Sequence, residues 1–360
     1  MTSLDDLPLR DDLRGKSPYG APQAPVPVAL NVNENTHGIP EDVAHDIVAS
    51  VATAILSLNR YPDREFTQLR TALADYLGHG LSAENIWAAN GSNEVLQQIL
   101  QAFAGSGRSL MGFVPTYSMY SLLAMGTGTR WIAAERDEDF ELSPETAAAA
   151  VSREQPDVVF LCSPNNPTGT PLSLETITAV YDAAPGIVVV DEAYAEFAPV
   201  GTPSALTLLP GRERLIVSRT MSKAFAFAGA RVGYLAADPA IADALRLVRL
   251  PYHLSALTQA AALGALRHSH EMLAVVGEIR VQKDRIVAHL SELGYKPYRS
   301  GSNFVLFGGV ADTRALFQSL FERGILIRDI GIPGHMRVSA GTEAETSAFL
   351  DALAALTSKV

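Results

Sequence analysis

Seven short apolar runs, at residues 86–89, 110–114, 131–134, 158–162, 187–190, 215–218 and 232–236, recur along this chain with stretches of helical period between them. Most are continuous rather than alternating, as expected for strands covered on both faces of a mainly parallel sheet. The intervening segments, such as 92–104 and 172–184, are long enough to be the helical crossovers that such a sheet needs. The pattern predicts an α/β fold whose large domain has three layers. A chain of 360 residues with 48% hydrophobic and 19% charged side chains can bury a sizeable core, which excludes disorder and allows two domains.

The flanking regions read differently. The first thirty residues are rich in Pro, Asp and Arg without a sustained period, and are expected to form an arm whose order depends on what it packs against. Ile47, Val51, Ile55 and Leu58 recur at helical spacing over 40–58, and the sequence NRYPD at 59–63 breaks that helix. A second helix follows, with Phe66, Leu69, Leu73 and Leu77 on one face. Beyond about residue 240 the texture changes. One long helical region is expected over 259–293, then a strand at 303–307, a helix at 313–324, short strands at 325–328 and 336–339, and a closing helix from Glu343. The expected division is an N-terminal arm at 1–30, a large domain at 31–265, whose first residues are free to pack with the small domain, and a small α+β domain at 266–360.

Charge and cysteine usage narrow the class. The net charge of −11 disfavours a global grip on nucleic acid or an anionic membrane, though not a local basic pocket for a small anion. A single cysteine, Cys162, excludes an internal disulfide and suits the cytoplasm. The N-terminal residues lack the basic-then-apolar layout of a signal peptide, and the apolar stretch at 254–266 is too short to span a bilayer. Two nucleotide motifs fail. Gly15-Lys16-Ser17 has Arg10 where a P-loop needs its first glycine, and Gly105-Ser106-Gly107 has Leu110 where a dinucleotide fingerprint needs its third. His268 and His270, two apart in a helical stretch, face different ways and make no metal pair; no metal site is expected. Cys162, ending an apolar strand, is expected to be a small buried hydrophobe rather than a nucleophile.

Four polar segments sit at the carboxyl ends of predicted strands, where open α/β sheets build their ligand crevice. They are SPNNPTG at 163–169, DEAY at 191–194, SKAF at 222–225 with Arg231 beyond it, and NGSNE at 90–94 opening a helix. Each alone has an ordinary explanation: Asn-Pro-Thr-Gly makes a good turn, Asp after a valine run caps a helix, Ser92 and Asn93 cap the helix they begin, and Ser-Lys is usually surface. The ordered set is not ordinary. Lys223 beside Phe225 and Phe227, near cationic Arg231, should have a lowered pKa suited to a Schiff base. Asp191 can keep a pyridine nitrogen protonated, Asn and Tyr can bond a phenolic oxygen, and a helix N-terminus with Ser222 and Arg231 makes a phosphate cup. Pyridoxal 5′-phosphate meets every one of these demands.

With those segments in view, the sequence resembles the fold-type I, class II aminotransferases, and within them the histidinol-phosphate aminotransferases of actinobacterial type. The likeness spans nearly the whole chain, through LNVNEN, NRYPDR, WAANGSNE, VPTYSMY, RLPYHLSALTQAAA and ILIRDIGIPGHMR. It implies a homodimer that interconverts L-histidinol phosphate and 2-oxoglutarate with imidazole-acetol phosphate and L-glutamate in histidine biosynthesis. It also implies roles. Lys223 binds the cofactor covalently and moves the proton; Asp191 pairs with the pyridine nitrogen; Tyr194 and Asn166 hold the phenolic oxygen; Tyr117 stacks on the ring. Ser92, Asn93, Thr220, Ser222 and Arg231 grip the phosphate, which Tyr61 reaches from the partner subunit. Tyr19, Asn33, Tyr252, Arg328 and Arg337 line the substrate pocket. Two places depart from the family pattern, Asn35-Thr36-His37 and Arg337-Val338-Ser339, and both touch the pocket wall rather than the chemistry.

Other functions share parts of this set. An aromatic amino acid aminotransferase uses the same cofactor residues, but a phosphate-bearing substrate favours the two pocket arginines. A decarboxylase of a phosphorylated amino acid would need no second amino acceptor. A pyridoxal-phosphate-sensing regulator would need a basic DNA-binding domain, for which an acidic arm of about thirty residues has no room.

Overall fold

The apolar runs assemble side by side. In the computed structural model, which describes residues 3–18, 20 and 22–357, they form one seven-stranded sheet. Its order is Ile86–Ala89, Gly233–Ala237, Leu215–Thr220, Ile187–Asp191, Val158–Cys162, Ser109–Val114 and Arg130–Glu135. Only Gly233–Ala237 runs against its neighbours, pairing antiparallel with Ile86–Ala89 and Leu215–Thr220. The central strands are buried along their whole length, which is why their sequences show no alternation. Arg130–Glu135, at the sheet edge, alternates buried and exposed positions, and its first residue is an exposed arginine. Helices including Ser92–Phe103, Pro144–Glu154 and Leu174–Ala183 cover the sheet and share its core.

A second core gathers around a four-stranded antiparallel sheet ordered Arg328–Asp329, Met336–Ser339, Phe304–Gly308, Lys296–Pro297. The helices Val276–Glu292 and Glu343–Thr357 pack on it. Val28–Ala29 pairs in parallel with Ile325–Leu326, and Leu30 is buried in this second core. The long helix expected over 259–293 is instead three pieces, Ala256–Arg267, Ser269–Leu273 and Val276–Glu292. His268 leaves helical geometry between the first two, with φ −112° and ψ 32°, and its ring reaches Asp46 at 3.1 Å, a tertiary contact that periodicity cannot register. The first helix, Glu41–Ile55, stops short of the expected Leu58.

Candidate active site

Along Ile187–Asp191 and Leu215–Thr220, paired in parallel with Asp191 opposite Ser218, successive side chains alternate between two faces. Asp191, Ala193 and Thr220 face one cavity at the carboxyl ends of the strands, which encloses about 110 Å³ and is lined also by Ser92, Asn93, Tyr117, Asn166, Tyr194, Ser222, Lys223 and Arg231. Ten of the eleven cofactor-site residues expected from sequence are therefore brought together, and Tyr61 is the exception. Cys162 lines the same cavity, a position its apolar context did not signal. Its thiol lies 3.5 Å from the Pro164 carbonyl, and burial pushes it up to about 12, so it stays protonated.

Asp191 is buried, and burial raises its pKa above the ordinary value. Two hydroxyls answer it. Tyr120 donates to Oδ2 at 2.7 Å and Ser218 donates to Oδ1 at 3.1 Å. Sequence reasoning missed Tyr120; its one available signal is its place three residues after Tyr117 on the turn that opens Met119–Thr127, where both rings meet edge to face at 5.5 Å. A carboxylate so enclosed is suited to a cationic N–H donor placed in the cavity.

Lys223 follows the strand Leu215–Thr220 in a tight turn, and its Nζ donates to the Val32 carbonyl at 3.0 Å. Burial lowers its pKa to about 8, helped by Arg337 and, more weakly, by Arg231. The lowering expected from Arg231 is present, but Arg337, distant in sequence, has the larger effect.

Tyr194 shows how the polar wall is wired. Its hydroxyl oxygen accepts from Asn33 Nδ2 at 3.0 Å and from Asn166 Nδ2 at 3.3 Å. With both lone pairs used, the phenolic hydrogen remains available to donate. Arg337 fixes the orientation of Asn166 by donating to its Oδ1 at 2.6 Å, and donates also to the Asn31 carbonyl at 2.8 Å. Asn33, at φ +58°, accepts from Ser339 at 3.2 Å through its Oδ1.

The anion end is built by close approach. Gly91 caps the helix Ser92–Phe103 at φ +85°, and a Cβ there would lie 2.3 Å from the Arg231 guanidinium. A Cβ on Gly233 would lie 2.1 Å from the Ser92 amide nitrogen. Only glycine at both positions lets strand, helix N-terminus and arginine converge. Arg231 donates to Ser222 Oγ at 3.3 Å, while Thr220 donates to the same oxygen at 3.0 Å. Tyr117 donates to Asn93 Oδ1 at 3.2 Å.

A second cavity adjoins the first and shares Tyr117, Asn166, Tyr194 and Lys223 with it. Asn33, Arg328 and Arg337 line it. The two arginines stand directly opposite one another in the antiparallel pairing of Arg328–Asp329 with Met336–Ser339. Like charges so placed repel, and an anion between them relieves that cost. Asp329 lines the same cavity, and its oxygens accept from the Gly331 amide at 2.9 Å and the Thr313 hydroxyl at 3.3 Å. Tyr19 lies outside the described residues. Tyr61 and Tyr252 line neither cavity; they stack on each other at 4.5 Å with Tyr61 80% exposed. Among the described residues no group of acidic, histidine or cysteine side chains could hold a metal, and no helix is long and apolar enough to cross a membrane.

Comparison with known proteins agrees with this geometry. The family described as aminotransferase class I and II matches residues 25–353. A histidinol-phosphate aminotransferase of Paenarthrobacter aurescens is 65% identical over 98% of this chain and 96% of its own length. Another, from Thermobifida fusca, is 56% identical over 99% and 97%. The crystal structure of histidinol-phosphate aminotransferase from Sinorhizobium meliloti in complex with pyridoxal-5′-phosphate superposes with a TM-score of 0.84 at 29% identity, over 93% of this chain and 92% of that one. The sheet order, the helices over it and these likenesses are those of the fold-type I aminotransferases, and the chain belongs to the class I and II aminotransferase family, in its histidinol-phosphate aminotransferase branch.

Proposed function

We propose that this protein is a pyridoxal 5′-phosphate-dependent transaminase that exchanges an amino group between L-histidinol phosphate and 2-oxoglutarate in histidine biosynthesis. The observation that carries the reading is the pair of joined cavities: one holds Asp191 and the Ser92–Arg231 anion cup, the other holds Arg328 and Arg337, and Lys223 stands at their junction. The residues fit the cofactor, since the cup that Gly91 and Gly233 keep open suits its phosphate and the enclosed Asp191 suits its ring nitrogen. When bound, pyridoxal 5′-phosphate supplies an electron-withdrawing ring that takes up electrons released at the amine-bearing carbon of the substrate.

The chain's own groups do the rest. Lys223 Nζ would hold the cofactor, and its lowered pKa brings the unprotonated amine within reach near neutral pH, so that Nζ could take up and return the proton at the amine-bearing carbon. Tyr194, whose hydroxyl hydrogen is free to donate, and Asn166, held by Arg337, would bond the phenolic oxygen. Tyr117 would cover the ring, and Ser92, Asn93, Thr220, Ser222 and Arg231 would hold the phosphate. Arg337 serves both substrates, because its planar fork binds a carboxylate or a phosphate in two-point fashion; Arg328 adds the contact that favours phosphate. Asn33 completes the pocket wall.

Tyr61 and Tyr252 enter the reading through a homodimer. Their exposed stack, with exposed apolar Ile55, Leu56 and Leu58 before Tyr61 and Leu250 before Tyr252, supports a face that a second copy covers, delivering Tyr61 to the neighbour's phosphate. The arm at 1–30, large domain at 31–265 and small domain at 266–360 remain the proposed division, with residues 28–30 on the small domain's side of it. The acidic surface and buried Cys162 support a cytoplasmic enzyme. The test is amino transfer to 2-oxoglutarate from histidinol phosphate, phenylalanine and tyrosine side by side. The reading expects histidinol phosphate to lead in kcat/KM, and preference for an aromatic amino acid would replace it.

A further inference from the structure

One residue beyond Asp191 and its register partner Ser218, the chain turns Glu192 and Arg219 to the opposite face. There the two side chains meet. Arg219 Nη2 lies 2.7 Å from Glu192 Oε2, its Nε donates to the same oxygen at 3.1 Å, and its Nη1 lies 3.3 Å from Glu196 Oε1. The three side chains are 12%, 6% and 8% exposed. Glu192 is further held by the Ser204 hydroxyl and the Ala205 amide, both at 2.7 Å. Tyr76 donates to Glu196 Oε1 at 3.4 Å, and its ring packs edge-on against Phe225 at 5.3 Å. From the helix Val276–Glu292, Arg280 grips the carbonyls of Glu196 and Phe197 at 2.7 and 3.2 Å.

None of these groups touches either cavity, yet each lies beside a segment that does. Glu192 follows Asp191, Glu196 stands two residues after Tyr194, and Arg219 stands four before Lys223. Tyr76 braces the turn just past Lys223 through Phe225. We infer that Arg219, clamped between Glu192 and Glu196, is a positioning residue that sets the spacing of Asp191, Tyr194 and Lys223 from behind the sheet. Stability alone does not explain the arrangement, because a buried ion pair is often matched or bettered by apolar side chains of similar volume. What apolar packing cannot supply is directed bonds from one planar fork, on the strand that leads to Lys223, to two points of the segment that carries Asp191 and Tyr194, which fix the register and separation of the two segments. Burial opposes the charge on Arg219, but Glu192 and Glu196 outweigh it and hold its pKa above the ordinary value, so Arg219 keeps its charge across the working range, while burial pushes Glu196 above the ordinary carboxylate value.

The inference rests on the proposed cofactor site, and the experiment separates the two. The probe is pyridoxamine 5′-phosphate, which binds without a bond to Lys223, and the readout is its dissociation constant by fluorescence. A double-mutant cycle compares Arg219→Met in wild-type and Asp191→Asn backgrounds. If Arg219 acts through Asp191 and its neighbours, Arg219→Met weakens binding about fivefold or more in the wild type but within about twofold once Asp191 has been changed. Arg219→Lys, a point charge in place of the fork, falls between wild type and Arg219→Met, and it takes the place of Arg219→Met in the cycle should that variant not fold. Equal losses in both backgrounds, or none in the wild type while the melting temperature falls, overturn the positioning role and leave the site reading intact. An Asp191→Asn protein that binds the probe like wild type overturns the site reading and the inference with it.

Discussion

In cofactor-free protein the Lys223 amine is held at about 8, against an ordinary lysine value of 10.5, first by burial and then by Arg337. Between those two values the unfolded chain binds the proton that the folded one has released. The contribution of Lys223 to stability therefore rises with pH across that window. Chemical acylation followed by peptide mass spectrometry should show Lys223 reacting with a midpoint near 8, while exposed lysines react only at higher pH; a midpoint above 10 would refute the lowered value. Arg337 and Arg328 should separate kinetically. Arg337→Lys loses the bonds to Asn166 and the Asn31 carbonyl, and should cost about 2–3 kcal/mol in kcat/KM in both half-reactions. Arg328→Ala should harm the histidinol-phosphate half-reaction much more than the glutamate one, and equal losses would remove Arg328 from phosphate recognition. What the sequence announced at this scale were the residues that face the cavity from strand ends. It was silent on Tyr120, which meets Asp191 across 71 positions, and on Arg337 as the main charge near Lys223, because both depend on a tertiary approach that local pattern does not encode.

Among the elements, Glu65 ties the loop that carries Tyr61 to the end of the helix Pro239–Val248. It bonds Arg246 at 3.0 Å and Arg249 at 2.5 Å. Burial works against its charge, but Arg249 and Arg246 prevail and hold its pKa down to about 2. A carboxylate with a depressed folded pKa stabilises fully above its unfolded value and loses that contribution as pH falls toward 2. Glu65→Gln should therefore lower the melting temperature at pH 7, with the gap closing progressively below about pH 4. A gap that stays constant from pH 7 to pH 3 would show that the bridge does not act by charge. Gly233→Ala probes the anion cup. The added methyl meets the Ser92 amide and must push the helix Ser92–Phe103 off its strand, at about 1–3 kcal/mol with loss of cofactor affinity, measured by thermal melting and equilibrium dialysis. The strands were legible because burial on both faces leaves a continuous apolar run. The antiparallel sense of Gly233–Ala237 and the facing register of Arg328 and Arg337 were not, since a run of apolar residues carries neither direction nor partner.

At the scale of the whole molecule, the proposed dimer makes a prediction that one subunit alone cannot meet. Mixing Lys223→Ala subunits with Tyr61→Phe subunits should create heterodimers in which one site has both wild-type groups. After exchange, about a quarter of all sites should be restored, and activity should exceed the average of the two parent proteins. No gain on mixing, or a fully active monomer on sizing, would overturn the shared site. The pairing of Val28–Ala29 with Ile325–Leu326 has a consequence in time. The two strands are separated by about 300 residues, so during synthesis at roughly 5–20 residues per second the first waits about 15–60 s for its partner to emerge. The residues just past that early strand are Asn31, whose carbonyl receives Arg337, Val32, whose carbonyl receives Lys223, and Asn33, which sets Tyr194. Closing this long loop is the slow kind of contact in folding, and the wall of the reaction cavity is completed only when it closes. A nascent chain released before residue 326 can thus carry every cofactor-facing residue through Arg231 and still lack the seam that holds them around a substrate.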